Sequence, residues 1–274
     1  MSVFAVARLT FLEARRRRLL QLVLVMGIAF VALFAVGYFL IHKESRMSVV
    51  GERLEMSNIL LLMGLYAANF LGVVLAVVMS VDVIAGDIAS GAIQTLVTKP
   101  LRRWHVVVGK WLGLAALLSI IMTLVSASLV LVAWIISRYL PDNLPEGIAL
   151  MVLAQLLVLT VSILGGTFLN TLANGIFVFM LYGLVFIGGW IEQIAAFAGN
   201  QAATNIGILI SFVLPSEAIW RRASYLIQPL YLRQLNVGPF VTLSTPSPAT
   251  VVYSLFYIAV VLAMAVVVFQ RRDL

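Results

Sequence analysis

Residues 147–191 form a run of 45 residues that contains no charged side chain. An α-helix rises ~1.5 Å per residue, so about 20 apolar residues cross the ~30 Å hydrocarbon core of a bilayer. The run is therefore too long for one crossing and has the length of two. Its middle, NTLANG from Asn170 to Gly175, consists of residues that form turns. We predict two membrane-spanning helices here, at residues 148–169 and 175–198.

Four further apolar runs have the length of a membrane span, at residues 19–41, 57–81, 111–137 and 249–269. Hydrophobic residues make up 63% of the chain and charged residues 11%, and the mean hydropathy is +1.11. Soluble domains carry about 25% charged residues, so this composition excludes an ordinary soluble protein. We predict an all-α polytopic membrane protein with six transmembrane helices, folded as a single transmembrane domain over residues 1–274.

The positive charge of the chain falls on one side of this topology. With a cytoplasmic N-terminus, the cytoplasmic segments hold 11 basic and 4 acidic residues, and the external segments hold 7 of each. The whole net charge of +7 then lies inside, as the positive-inside rule requires. We expect a multi-pass protein of the cell (inner or plasma) membrane with both termini in the cytoplasm. The basic excess is assigned to contact with the lipid bilayer, and no nucleic-acid partner is expected.

Parts of the chain outside the spans have the pattern of segments that lie on the membrane. Residues 2–18 predict an interfacial helix along the inner leaflet. The alternative is that Arg15 to Arg18 are only the basic flank of the first span. Between the fifth and sixth spans, residues 206–214 are apolar but too short to cross, which is typical of a re-entrant or interfacial segment. Residues 217–231 predict a helix at the headgroup boundary.

Sequence motifs for catalysis and metal binding are missing from the chain. There is no GxxxxGK[ST] loop, no HExxH and no GxSxG. The chain has no Cys and only two His residues, which are far apart, so a metal cluster is not expected. We therefore expect no catalytic residue, no metal site and no ATP hydrolysis by the chain itself.

Several polar residues lie in or beside the predicted spans. Asp82 is at the inner end of the second span and Glu192 is near the outer end of the fifth. Because charge is expensive in mid-membrane, both are interpreted as boundary residues within reach of water. Asn69, Gln155 and Asn170 are interpreted as interhelical hydrogen-bonding residues rather than the lining of a transport path.

The segment between the second and third spans, residues 82–110, carries four basic residues and two aspartates. At ~100° per residue, Ala92, Ile93, Leu96 and Val97 share one side of a short helix over residues 92–97. Thr95 lies on the opposite, polar side. Such a helix could place its apolar face in the groove of a partner protein. The alternative is a loop that only lies on the membrane surface.

The same segment resembles the cytoplasmic loop of ABC-2 type transporter permeases. The matching residues are Asp87-x3-Gly91-Ala-Ile-Gln94-x4-Lys99-Pro100-x2-Arg103-x5-Gly109-Lys110. The six-span layout, the basic N-terminal segment, the irregular region between spans five and six and the Arg-Arg-Asp ending are also similar to that family. Asp87 stands where the family more often has Glu, and Ala92 stands where it more often has Thr.

The resemblance implies a membrane-spanning permease subunit of an ATP-driven exporter. A cytoplasmic ABC ATPase subunit would bind ATP and Mg and hydrolyse ATP, and a second permease domain would complete a homodimer or heterodimer. The chain itself would bind no cofactor. The resemblance assigns the ATPase-coupling loop to Asp87, Gly91, Ala92, Ile93, Leu96, Val97, Lys99, Pro100 and Arg103, with Asp87 and Arg103 fixing its shape.

Two other classes of function have the same composition. One is a stand-alone channel or secondary carrier, which would need a charged or broken-helix site in mid-membrane. The other is a non-transporting membrane assembly factor, which gives no reason for the two-faced segment at residues 92–97. Neither the substrate nor the choice between homodimer and heterodimer is encoded in a recognisable motif.

Overall fold

The computed structural model of the chain describes residues 3–16, 18–44, 50–89, 103–229 and 244–272. All regular structure in these ranges is helical. The helices are α1 (Val3–Arg16), α2 (Arg18–Glu44), α3 (Val50–Ala89), α4 (Arg103–Ser137), α5 (Leu144–Gly166), α6 (Thr171–Phe197), α7 (Gln201–Val213), α8 (Ser216–Ile227) and α9 (Ala249–Arg271).

Six of the described helices, α2 to α6 and α9, are long and apolar enough to cross a membrane. This confirms the predicted all-α fold with six transmembrane helices. The second and third spans lie on the longest helices, since α3 has 40 residues and α4 has 35. At ~1.5 Å per residue α3 is about 60 Å long, roughly twice the hydrocarbon thickness. Its terminal turns therefore extend beyond the apolar layer.

The two ends of the helical bundle are built differently. At the α3–α4 end, where α3 ends at Ala89 and α4 begins at Arg103, α3 contacts the start of α6 and α4 contacts the last turn of α9. The end of α9 in turn contacts the α5–α6 turn. The opposite, α6–α7 end holds the turn between α4 and α5 and the helices α7 and α8. Asn143 in that turn donates a hydrogen bond to the carbonyl oxygen of Leu226 at 3.3 Å.

Helix α5 lies at the centre of the bundle, with α3, α4, α8 and α9 packed around it. Its side chains are the most thoroughly buried of any span, whereas most of α2 is exposed. In the interior of the bundle, Gln155 Nε2 on α5 donates a hydrogen bond to Asn69 Oδ1 on α3 at 2.8 Å. The interpretation of Asn69 and Gln155 as interhelical hydrogen-bonding residues is therefore confirmed. The third residue interpreted in this way, Asn170, instead caps its own helix by accepting a hydrogen bond from Ala173 N.

The 45-residue run forms two helices, as predicted, but the break between them lies at residues 167–170. Residues 171–175, predicted as part of the turn, are already helical in α6. Helix α5 ends at Gly166, and Asn170 caps the start of α6 by accepting a hydrogen bond from Ala173 N at 2.8 Å. Asparagine is among the best residues for this cap because its side chain satisfies a backbone N–H that the first helical turn leaves free.

Helices α7 and α8 lie where the sequence predicted a re-entrant or interfacial segment (206–214) and a headgroup-boundary helix (217–231). The bent pair that they form is termed the re-entrant segment here. Their axes are bent by 108° at a short break around Leu214 and Pro215. Helix α7 returns along α6, where a Cβ added to Gly188 would lie 2.5 Å from Ile210 Cγ2. Helix α8 then turns back and packs on α5. Helix α7 begins earlier than predicted because Asn200 caps it, with Ala203 N donating to Asn200 Oδ1 at 3.1 Å.

Candidate functional site

The inner faces of α3 and α4 are joined by a charged contact where the two helices approach the 90–102 segment. The Lys110 ammonium forms an ion pair with the Asp87 carboxylate and also donates a hydrogen bond to Val83 O at 2.5 Å. Lys110 is buried, whereas the Asp87 side chain is partly exposed. A buried ammonium needs such partners, because its desolvation is not otherwise compensated. The contact fixes the separation of the two helices just before the segment that links them.

Arg103, the first residue of α4, reaches the last turn of α9. Its guanidinium donates to the backbone carbonyl oxygens of Gln270 at 3.0 Å and Arg272 at 2.8 Å. The final carbonyl groups of a helix have no partner within the helix, and a cation there also interacts favourably with the helix dipole. Arg103 therefore ties the end of α9 to the beginning of α4.

A second arginine extends this set of contacts to the α5–α6 turn. Arg272 donates to Thr167 O at 2.6 Å, just after α5 ends. Across the turn, Thr171 at the start of α6 donates to Asp82 Oδ1 on α3 at 3.1 Å. Asn174 Nδ2, one turn later, donates to Ser162 O at 3.0 Å. The ends of α3, α4, α5, α6 and α9 are thus linked by side chains at one end of the bundle.

Helix α1 packs against α4 at the same end. A Cβ added to Gly109 would lie 2.6 Å from Val6 Cβ, and one added to Gly113 would lie 2.6 Å from Ala7 O. Glycines spaced four residues apart let two helix backbones approach closely. Phe4 on α1 remains strongly exposed, which suits contact with lipid. The N-terminal helix thus has one exposed apolar surface and another surface that packs closely against α4.

The predicted coupling residues divide into two groups in the structure. Asp87 and Arg103 lie on the contacts just described. The remaining predicted residues lie outside the described residues: Gly91, Ala92, Ile93, Leu96, Val97, Lys99 and Pro100. Their assignment stays a prediction.

Sequence reasoning overlooked Lys110, Arg272 and Thr171 as members of this site. Lys110 was part of the matching motif, and its pairing with an acid on the preceding span was the available signal. Arg272 and Thr171 contact partners 105 and 89 positions away. No local pattern in the sequence identifies such pairs.

At the α6–α7 end, the prediction for Glu192 is wrong. This residue was expected to reach water, but it is only 3% exposed. Its carboxylate accepts a hydrogen bond from Arg221 at 2.7 Å and from Ser244 Oγ at 2.6 Å. Arg221, expected on a headgroup-boundary helix, is itself only 5% exposed because α8 folds back between α6 and α5. The re-entrant segment therefore buries charges that the sequence placed at the surface.

The charged contacts at the α3–α4 end join described residues on both sides of the 90–102 segment to other helices. Within the described ranges, no group of three or more His, Cys, Asp or Glu side chains is placed to hold a metal ion. Asp87, Lys110 and Arg103 are committed to ion pairs and backbone carbonyls. Together with the bonds of Arg272 and Thr171, these contacts involve the ends of five helices.

Comparison with known proteins assigns the chain to a family. No curated protein matches the chain significantly. A family model described as ABC-2 family transporter protein matches residues 4–274, nearly the whole sequence. This match covers both the α3–α4 end and the re-entrant segment. The chain belongs to the ABC-2 family of transporter proteins and is a permease subunit of an ABC transporter.

Proposed function

We propose that the chain couples ATP hydrolysis by a separate cytoplasmic ATPase subunit to export of a substrate across the cell membrane. The observation that carries the proposal is the set of contacts joining the ends of the 90–102 segment to the bundle. Asp87 and Lys110 brace it on one side, and Arg103 joins its other side to α9. A force that a partner applies to the segment would therefore be transmitted to the helices.

Residues 92–97 are the proposed contact with the ATPase. Ile93 and Leu96 would enter an apolar groove on that subunit, while Lys99 would meet acidic residues or lipid headgroups. ATP and Mg would be held by the partner subunit, whose closure would draw the α3–α4 end with it. The chain would thus take part in transport without binding a nucleotide.

The proposed orientation puts the α3–α4 end and both termini in the cytoplasm of a cell whose inner or plasma membrane holds the chain. It is supported by the charge asymmetry, because the basic residues concentrate at that end. A second permease domain, identical or different, would pack against this one. The large exposed apolar surface of α2 leaves room for both lipid and a second domain.

Affinity purification from native membranes tests the partnership directly. The tagged chain should bring down a soluble ATP-binding subunit, and Leu96→Asp or Ile93→Asp should release it while the variants still insert in the membrane. Thr95→Asp is the matched control, because it adds the same charge on the predicted polar side. Retention of the ATPase by both Leu96→Asp and Ile93→Asp would refute the assigned contact.

A further inference from the structure

A cavity of about 340 Å³ lies between the re-entrant segment and the start of α9. Its wall includes residues of α6, α7, α8 and α9 and of the 244–247 segment, which precedes α9. The volume is at the lower end of the range for small-ligand sites, which is ~300–1,000 Å³. This cavity, termed here the α7–α9 cavity, can therefore hold a small molecule or a lipid headgroup, but not a whole lipid.

The length of α9 places the α7–α9 cavity at one surface of the hydrocarbon layer. Helix α9 has 23 residues, which at ~1.5 Å per residue gives a length of about 35 Å. This is close to the ~30 Å of the hydrocarbon core, so each end of α9 lies near one of its two surfaces. Ala249 and Thr250, the first two residues of α9, both line the cavity. The cavity is therefore at the level of lipid headgroups.

Hydrogen bonds hold two sides of the cavity wall in place. On one side, Arg222 of α8 donates to Pro246 O of the 244–247 segment at 2.9 Å. On the other side, Tyr253 of α9 donates to Phe212 O, in the last turn of α7, at 2.7 Å. The rings of Tyr253 and Phe212 also meet edge to face, with their centroids 5.4 Å apart. The α7–α9 cavity is thus a preformed site.

A buried ion pair forms part of the same wall. Arg221 and Glu192 both line the cavity, although each is more than nine-tenths buried. Arg221 Nη2 donates to Glu192 Oε2 at 2.7 Å, and Ser244 Oγ donates to the other carboxylate oxygen at 2.6 Å. Among the described residues, the Nε and Nη1 atoms of Arg221 have no hydrogen-bond partner. Unused donors on a buried guanidinium are costly, so a ligand that supplies acceptor atoms would stabilise Arg221.

The charges of the ion pair favour a ligand that carries both signs. A simple anion would be repelled by the Glu192 carboxylate, and a simple cation would be repelled by the Arg221 guanidinium. A zwitterion can place its anionic group against Arg221 and its cationic group against Glu192. The positive end of the α9 helix dipole also lies at the cavity and favours the anionic group there. Glu217, one turn before Arg221, is not among the described residues of the wall.

Glu192 also distinguishes between kinds of cationic group. Each of its carboxylate oxygens accepts one printed-length hydrogen bond within the protein, and a carboxylate oxygen can accept a second. A primary ammonium can donate such a bond, whereas a quaternary ammonium has no N–H group to donate. Hydrogen bonds between charged groups are the stronger ones, so the primary ammonium should be preferred.

Exposed apolar residues continue from the cavity along two helices. Phe212 lines the cavity and is 52% exposed, and Leu209, three residues earlier on the same face of α7, is also exposed. On α9, Val252 and Phe256 are exposed and four residues apart, so they too share a face. Acyl chains attached to a headgroup in the cavity could lie along these residues.

We propose that the α7–α9 cavity binds a zwitterionic phospholipid whose headgroup carries a phosphate and a primary ammonium, as in phosphatidylethanolamine. Arg221 and the start of α9 bind the phosphate, and the Glu192 carboxylate accepts a hydrogen bond from the ammonium. The acyl chains lie on the exposed faces of α7 and α9. This binding requires neither an ATPase nor a particular direction of transport.

Competition between lipids that differ only in the headgroup tests the site. The purified full-length chain, delipidated in detergent, is mixed with equal amounts of phosphatidylethanolamine, phosphatidylcholine and phosphatidylglycerol that have the same acyl chains. Native mass spectrometry then counts the lipids bound to each chain. We expect one phosphatidylethanolamine to be retained in preference to the others, because phosphatidylcholine has no ammonium N–H and phosphatidylglycerol has no positive charge. Equal retention of the three lipids, or preference for either of the other two, would overturn the proposal.

A further arm distinguishes the lipid from its free headgroup. Glycerophosphoethanolamine has the same charges but no acyl chains, so at an equal concentration it should leave the bound phosphatidylethanolamine in place. Displacement of the lipid under these conditions would show that the acyl chains contribute nothing, and the assigned occupant would be wrong.

Two variants test the location of the lipid. Glu192→Gln should lower the preference for phosphatidylethanolamine over phosphatidylcholine about tenfold, because a hydrogen bond between charged groups is lost. Ala249→Phe leaves the buried ion pair intact, adds a ring at an exposed residue of the wall and should abolish the retention. Ala202→Phe is the matched control, since Ala202 is an exposed alanine in the first turn of α7 outside the described wall. Full preference in Glu192→Gln, or equal retention by the two phenylalanine variants, would contradict the assigned site.

Discussion

Lys110 illustrates how a single residue can determine the geometry of a helix end. Its ammonium is removed from solvent but has both a carboxylate and a carbonyl oxygen as partners. A hydrophobic residue of similar size would fill the space, but it would leave Asp87 with one contact fewer. The ion pair thus contributes specificity of position more than net stability.

Replacing Lys110 by Met should separate these two contributions. We expect a loss of about 1–3 kcal/mol in stability, less than the ~3–5 kcal/mol of a fully buried pair, because Asp87 is partly exposed. Coupling should suffer more than stability. Thermal unfolding of the purified chain and ATP-driven transport by the assembled complex measure the two effects. Lys43→Met, which removes an exposed cation at the end of α2, is the control. Unimpaired transport by Lys110→Met would contradict a positioning role for the pair.

At the scale of elements, α1 can pack closely on α4 because two α4 residues in the contact, Gly109 and Gly113, have no side chain. A Cβ at Gly113 would meet Ala7 O at 2.6 Å and Phe11 N at 3.2 Å, and backbone atoms cannot rotate out of the way. The Gly109-Lys110 pair of the family motif therefore has two separate structural uses. Gly109 allows α1 to approach α4, and Lys110 forms an ion pair with Asp87.

Gly113→Ala should destabilise the packing of α1 against α4. Overpacking of a close contact costs about 1–3 kcal/mol, so the thermal unfolding midpoint should fall. Gly37→Ala is the matched control, because a Cβ at that position meets nothing within 4 Å. It should leave the midpoint unchanged or raise it slightly, since alanine favours a helix over glycine. Equal midpoints for the two variants would show that α1 does not depend on this contact.

The hydrogen bonds from Arg103 on α4 to the end of α9 can be tested separately. Arg103→Ala removes donors from two carbonyl groups in the last turn of α9, so amide hydrogen exchange there should accelerate about tenfold. Arg271→Ala, which removes an exposed arginine from the same turn, should have a smaller effect. Hydrogen exchange measured by mass spectrometry on peptides from the end of α9 distinguishes the two. Equal exchange in both variants would contradict the link.

Across the whole molecule, charge-free runs were enough to predict six spans, because hydrocarbon thickness sets helix length. Asn170 marked a turn through local chemistry alone. The burial of Glu192 and Arg221 could not be predicted in the same way, since it depends on α8 folding back against α5. The sequence shows both charges and their apolar surroundings but not the 108° bend that brings them together. Local patterns therefore predicted the elements, and the contacts between distant elements came from the structure.

Site-directed cross-linking tests most directly whether an ATPase docks at the α3–α4 end. The chain has no Cys, so a single introduced thiol is unique within it. Leu96→Cys and Asp142→Cys place that thiol at the proposed contact and at the opposite end of the bundle. After treatment of native membranes with a short thiol-to-amine cross-linker, Leu96→Cys should join the chain to a cytoplasmic ATP-binding subunit and Asp142→Cys should not. Cross-linking of that subunit from Asp142→Cys, or none from Leu96→Cys in a complex that still transports, would contradict the account.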